Sequence, residues 1–253
     1  MKLSNSLTIL FIVAAALFMA GFACNSGSDS TTTNNAGGTT NESRGTKGKE
    51  PPATKNIAGN YAATGTNPNG SAYKADLVVT PHEDVYQFTW TSGKVSYDGV
   101  GVMSDNEVAV SFTDGSSGKG CGVVLYKIAS DGSMEGKAGY WGTNLMEIEN
   151  AVPQKKGGSD LDGVYDITGK TPDGKDYKGT LTVIKSGPGY TFDWNTGGSL
   201  SGLGIRAGNF VAVGFGGKQC SFVGYDVQPD GTLDGKWGGL GVKSLGSEIA
   251  KKK

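Results

Sequence analysis

Large apolar residues alternate with polar ones along most of the chain. Tyr86-Gln87-Phe88-Thr89-Trp90, Glu107-Val108-Ala109-Val110-Ser111-Phe112 and Val124-Leu125-Tyr126-Lys127-Ile128 all repeat with a period of two. That period places successive side chains on opposite faces of a half-buried strand. Pro68-Asn69-Gly70, Ser104-Asp105-Asn106, Ser130-Asp131-Gly132, Pro172-Asp173-Gly174 and Pro229-Asp230-Gly231 separate the runs. Asn-Gly and Asp-Gly suit hairpin turns because both central residues must take positive φ. No segment carries a helical period. The pattern predicts an all-β protein.

The pattern is also written twice. Gly59-x-Tyr61, Gly65, Pro68, Gly70 and Tyr73 match Gly163-x-Tyr165, Gly169, Pro172, Gly174 and Tyr177 in register. The match continues through Leu77/Leu181, Tyr86/Tyr190, Phe88/Phe192 and Trp90/Trp194. With small shifts it reaches Phe112/Phe215, Cys121/Cys220, Tyr126/Tyr225 and Asp131-Gly132/Asp230-Gly231. Two copies of about 90 residues follow, each with about eight strands. Short turns between consecutive strands favour an up-and-down meander, which can close into a barrel and remove its edges.

The expected organisation is a signal peptide over 1–23, Cys24 with a disordered tether over 24–55, and a first barrel repeat over 56–152. A linker over 153–160, a second barrel repeat over 161–250 and a tail over 251–253 complete it. The inward stripe of the first copy reads Tyr61, Leu77, Val79, Tyr86, Phe88, Trp90, and onward through Val108, Val110, Phe112, Val124, Tyr126 and Ile128. Its counterpart runs from Tyr165 and Ile167 through Trp194 to Val223, Tyr225 and Val227. Gly99, Gly101, Gly136, Gly202, Gly204 and Gly235 fall inside strands. There they weaken pairing but permit the bends of a small barrel.

The N-terminus reads as an address. Lys2 precedes Leu7–Ala23, which carries no charge, and small residues lead to Cys24. This is a secretory signal, with an uncleaved anchor as the alternative. Met19-Ala20-Gly21-Phe22-Ala23-Cys24 resembles a bacterial lipobox, although Gly21 and Phe22 depart from its usual residues. The resemblance implies lipidation of Cys24 and an exported, envelope-attached protein, with several acyl chains holding it firmly. The Gly/Ser/Thr/Asn-rich run after Cys24 has too little apolar surface to fold. It also lacks the aromatic or β-branched runs with which a segment adds itself to a partner's sheet.

Composition narrows the chemistry. Lys and Arg number 23 against 24 Asp and Glu, for a net charge of −1. Nothing there favours nucleic acid, which needs a clustered basic surface. Three Cys and one His are too few for a Cys/His zinc site. Gly, 43 of 253 residues, has no Gly-X-Y period. No nucleophile or acid–base arrangement recurs in both copies, so catalytic residues, metals and cofactors are not expected.

The motifs Gly-x-Tyr, Gly-x-x-Pro-Asn/Asp-Gly, Tyr-x-Phe-x-Trp and Asp-Gly-x-x-x-Gly resemble those of bacterial secreted proteins and lipoproteins labelled fibronectin-binding. The resemblance covers Ile57–Ala151 and Leu161–Ala250. It implies a non-catalytic surface protein whose folded modules bind a host matrix protein, fibronectin in particular. Paired modules would raise avidity. Gly59-x-Tyr61 and Gly163-x-Tyr165 are also similar to the Gly-x-Trp of lipocalin- and avidin-like barrels, with Tyr in place of Trp. Two alternatives remain: a small-molecule carrier using the barrel interior, and a structural envelope lipoprotein.

Four groups of residues are singled out. Cys121 and Cys220 are equivalent, and can form a disulfide or remain two thiols. Their parity opposes that of Tyr126 and Tyr225, so they face outward together with apolar Val123, Leu125 and Phe222. That outward patch is a candidate surface for packing the copies together. Tyr86, Trp90, Tyr126, Tyr190, Trp194 and Tyr225 would line a barrel cavity if one exists; a packed core is the competing reading. His82-Glu83-Asp84 reads as a solvated turn. Gly115–Gly120 lacks phosphate-loop spacing, and Asp230–Gly235 reads as a hairpin turn rather than a calcium loop.

Overall fold

A computed structural model describes residues 55–253, except 116, 117, 119, 156–159 and 218. The signal peptide, Cys24 and nearly all of the tether lie outside the described residues. The exception is Lys55, whose ammonium donates to the carbonyls of Val227 and Gln228 at 3.0 and 3.1 Å.

The described chain is all-β. Its strands are β1 (Gly59–Thr66), β2 (Ala72–His82), β3 (Val85–Ser92), β4 (Val95–Ser104), β5 (Glu107–Asp114), β6 (Gly122–Ile128), β7 (Met134–Tyr140) and β8 (Glu147–Pro153). They continue as β9 (Gly163–Lys170), β10 (Asp176–Ser186), β11 (Gly189–Asn195), β12 (Ser199–Ala207), β13 (Phe210–Phe215), β14 (Ser221–Val227), β15 (Leu233–Gly238) and β16 (Gly246–Lys252). These form two closed, antiparallel, eight-stranded barrels. The predicted turns separate hairpin strands; at Asp230-Gly231, for example, Thr232 N–H donates to Asp230 Oδ1 at 2.9 Å.

The barrels do not follow the repeat boundaries. The second barrel is β6 through β13, a continuous meander closed by pairing β13 with β6. The first barrel is β1–β5 completed by β14–β16, with β5 paired to β14 and β1 to β16. One barrel is therefore inserted into the other, and the assignment of one barrel to 56–152 and the other to 161–250 is corrected. The physical reason is the repeat itself. Val110 faces Val223 across β5 and β14, and Val223 is the counterpart of Val124. A strand from either copy offers β5 similar side chains, so local pairing does not choose between them. The tail is also shorter than expected, because β16 runs through Lys252, which pairs with Tyr61.

Each barrel is filled largely by the expected inward stripe, redistributed by the exchange. Tyr61, Leu77, Phe88 and Trp90 pack with Val223, Tyr225 and Val227 in the first barrel. Tyr165, Phe192 and Trp194 pack with Val124 and Tyr126 in the second. One end of each barrel is plugged. Tyr61 O–H donates to the Ile57 carbonyl at 2.6 Å, and Tyr165 O–H to that of Leu161 at 2.8 Å, with Ile57 and Leu161 buried beneath. The paired Gly-x-Tyr motifs thus serve closure.

A third core lies between the barrels. Val123, Leu125 and Phe222 are buried there with Val85, Val100, Val102, Ala109, Ile205 and Ala212. Cys121 and Cys220 form a disulfide with Cα atoms 5.8 Å apart. It joins the two connections, 115–121 and 216–220, through which the chain passes from one barrel to the other.

Candidate functional site

Both barrels carry a buried carboxylate at the end opposite the tyrosine plug. In the first barrel this is Glu248 on β16. It accepts hydrogen bonds from Trp90 Nε1 at 3.0 Å, Tyr225 O–H at 2.5 Å and Tyr73 O–H at 2.8 Å. In the second it is Glu149 on β8, which accepts from Trp194 Nε1 at 3.2 Å, Tyr177 O–H at 3.0 Å and Tyr126 O–H. The period of two explains the placement. Ala151 and Ala250 point inward, so Glu149 and Glu248, two residues earlier, point inward as well. A buried carboxylate is tolerable when it is hydrogen-bonded, and three aromatic donors supply that here.

Beyond this shared triad the barrels differ at the mouth: Trp90 faces Tyr97 where Trp194 faces Leu200, and a second cross-strand pair differs beside the carboxylate. In the first barrel Trp237 lies opposite Gly246. Its indole packs edge-on against Tyr73 and Phe112, with ring centroids 6.3 and 6.2 Å apart. A Cβ on Gly246 would come within 2.4 Å of that indole, so the glycine makes room for it. In the second barrel the same pair is Ala138 opposite Glu147. With a methyl group in place of the indole, the mouth opens into a cavity of about 220 Å³.

Tyr126, Tyr140, Tyr177, Trp194, Phe215 and the two carboxylates line this cavity, with Thr171 and Thr196 at the adjoining turns. Glu147 is 7 % exposed and Glu149 5 %. Tyr140 O–H donates to Glu147 Oε2 at 2.6 Å. Burial pushes the Glu149 carboxyl above its ordinary range, against the pull of its three hydrogen bonds, and Glu147 adds to the rise. Burial, with the carboxylates beside them, also raises Tyr126, Tyr140 and Tyr177, so these phenols are donors at neutral pH. No Lys, Arg or His is among the described residues lining the cavity.

Of the six residues proposed as cavity lining, the structure brings Tyr126 and Trp194 to this mouth. The other four are corrected. Trp90 and Tyr225 belong to the filled core of the first barrel, where Trp237 takes the space. Tyr190 lies toward the plugged end of the second barrel, bonded to Asp160 and to Lys185 Nζ, the latter at 3.1 Å. Tyr86 borders a separate small cavity of about 120 Å³ with Val85, Gln87 and Trp141. His82, at the end of β2, borders that cavity too, with Nε2 3.3 Å from Gln87 Oε1.

Glu147, Glu149 and Glu248 were not anticipated from the sequence. The available signal was a charged residue on the inward parity, recurring as Glu149 and Glu248 at the spacing of Tyr126 and Tyr225. No family model matches the chain, and no curated protein and no solved structure does.

Proposed function

We propose that this is a non-catalytic binding protein, anchored at the bacterial envelope through Cys24, that carries a small molecule in the mouth of its second barrel. The observation that carries the reading is the exchange of Trp237/Gly246 for Ala138/Glu147. One barrel is plugged by an indole, and its twin keeps the aromatic and carboxylate frame but leaves the space open. A concave site with apolar walls and a few convergent polar groups is the usual form of a small-molecule site.

The test is native mass spectrometry of the intact protein, isolated without denaturant, beside Ala138→Trp/Glu147→Gly. That double variant copies the plug of the first barrel. The expected result is an added, dissociable mass on the parent that the variant lacks. The bare polypeptide mass for each protein, with no small molecule taken up from a fragment mixture, would refute the reading.

A macromolecular partner is a second reading, with one observation in its favour. Val152, Val164 and Ile184, on successive strands β8, β9 and β10, are 54, 39 and 52 % exposed. An apolar outer face of this kind could support a partner, and the sequence resemblance suggests fibronectin. Titration on immobilised fibronectin should saturate and survive physiological salt, and Val152→Ser/Ile184→Ser should weaken it. Equal binding by the variant would exclude this face.

A further inference from the structure

We propose that the ligand of the second barrel is a small organic cation, a protonated amine seated between Glu147 and Glu149. This rests on the small-molecule reading above and specifies its chemistry. Three observations converge on it.

The first is uncompensated charge. Glu149 fills the position that Glu248 fills in the first barrel, and aromatic donors satisfy both. Glu147 is an addition: the first barrel has Gly246 there. A second buried carboxylate beside the first is unfavourable unless a positive charge joins them or one of them keeps its proton, and no basic residue lines the cavity among the described residues. Burial and the neighbouring Glu147 raise the Glu149 carboxyl, as expected of a site short of a cation.

The second is donor–acceptor balance. Tyr140 donates to Glu147 Oε2, while Tyr126, Tyr177 and Trp194 all donate to Glu149. The aromatic hydroxyls already face the carboxylates, so the remaining lone pairs of Glu147 call for a donor from the ligand. An ammonium supplies donors and charge together, and charge-assisted hydrogen bonds are the stronger kind. An anion would face two buried carboxylates, with only the threonine hydroxyls at the rim as further donors.

The third is size and wall chemistry. A cavity of about 220 Å³ is far larger than a bare metal ion. At about 30 Å³ per water it has room for roughly seven non-hydrogen atoms. Its apolar walls include Phe215, Leu200, Val124 and the rings of Tyr126, Tyr140 and Trp194, with Thr171 and Thr196 at the rim. Such walls suit the carbon chain of an amine, and aromatic faces attract a desolvated cation. The first barrel has one carboxylate and a plug at the equivalent place, so one site per chain is expected.

Three probes of matched shape test this on the intact protein: butylammonium, butanol and butyrate. The readout is the indole N–H signal of Trp194 by NMR, with that of Trp90 in the plugged barrel as an internal control. Butylammonium should shift the Trp194 signal and leave Trp90 in place. It should bind at least tenfold more tightly than butanol, and butyrate should not bind. Acidification should weaken butylammonium and leave butanol unchanged. Glu147→Gln should lose at least tenfold for butylammonium alone, and Ala138→Trp/Glu147→Gly should abolish both. An unmoved Trp90 signal in each variant verifies the fold. If butanol binds as tightly as butylammonium, the cation assignment is overturned while the small-molecule reading stands. If no probe moves Trp194, in parent or variant, both fall.

Discussion

Glu248 carries more of the first barrel than a single polar residue ordinarily would. Two buried donors, Trp90 Nε1 and Tyr225 O–H, and the half-buried Tyr73 O–H end on its carboxylate. Glu248→Ala would orphan the two buried donors, while Tyr73 O–H keeps the Ser247 carbonyl at 3.4 Å. Each unsatisfied buried group costs about 1–3 kcal/mol, so the variant should lose at least about 2 kcal/mol. At about 2–4 °C per kcal/mol for a chain of this size, Tm should fall by roughly 4–8 °C. Differential scanning calorimetry would show it, and a fall below about 2 °C would mean that these hydrogen bonds contribute little. Glu107 poses the opposite problem. It begins β5 directly opposite Asp226 and near Asp105, and burial with these two carboxylates raises it to about 7. Its folded form thus holds a proton that the unfolded form has released. The associated stability is present below the unfolded value of about 4.5 and is lost as pH rises through 7. Glu107 is only half-buried, so solvent screening brings this to on the order of 1 kcal/mol. Between pH 4.5 and 8 the parent should lose that much more stability than Glu107→Gln, and parallel profiles would refute the assignment. Neither carboxylate was legible from the sequence, where each reads as one more polar residue among alternating positions. Glu248 is found by asking which charged residue recurs with inward parity. The setting of Glu107 depends on Asp226, which lies more than a hundred residues away and in the other copy.

Within the strands, the excess of glycine has a specific use. Tyr126 lies directly opposite Gly136, Tyr225 opposite Gly235, and Phe215 opposite Gly122. Each ring lies over its glycine. A Cβ would sit 2.6 Å from the ring of Tyr126, 2.4 Å from that of Tyr225 and 2.3 Å from that of Phe215. These glycines are therefore floors for aromatic side chains rather than only points of bending. The tyrosine rings are the ones that reach the buried carboxylates, so the floor also sets the hydrogen bonds above it. Gly235→Ala should overpack the site by about 1–3 kcal/mol and lift Tyr225 from Glu248, changing the near-ultraviolet dichroism. Gly198→Ala is the control, because nothing lies within 4 Å of its added methyl group; it should be close to neutral. Equal behaviour of the two variants would refute the floor. Strands, turns and inward parity were legible because a period of two and Asp-Gly or Asn-Gly turns are local properties. The glycine–aromatic pairing was not, since it depends on register across strands.

At the scale of the molecule, one barrel is inserted into another, and the chain passes between them only at 115–121 and 216–220. These two connections touch. Gly216 has a φ of +118°, and a Cβ there would lie 2.1 Å from the Gly120 carbonyl oxygen, so only glycine fits the crossing. Beside it the Cys121–Cys220 disulfide bridges a sequence separation of 99. The outward parity of both cysteines, shared with Val123, Leu125 and Phe222, pointed to a packed surface between the copies, and those residues do form the inter-barrel core. The exchange itself was illegible, because both copies present β5 with equivalent partners. What separates the exchanged arrangement from two self-closed repeats is non-local: the inter-barrel core and the link between the connections. The disulfide removes a loop of about 100 residues from the freedom of the unfolded chain, worth about 4–5 kcal/mol in the chain-entropy account. Cys121→Ser/Cys220→Ser should therefore lower Tm by on the order of 10 °C, and reductant should do the same to the parent. A fall of less than about 3 °C would mean that Val123, Leu125, Phe222 and their neighbours hold the crossing without covalent help. A larger fall, with a second transition at lower temperature, would mean that the link couples two barrels that otherwise unfold separately. The single cooperative transition expected of the oxidised parent distinguishes that case.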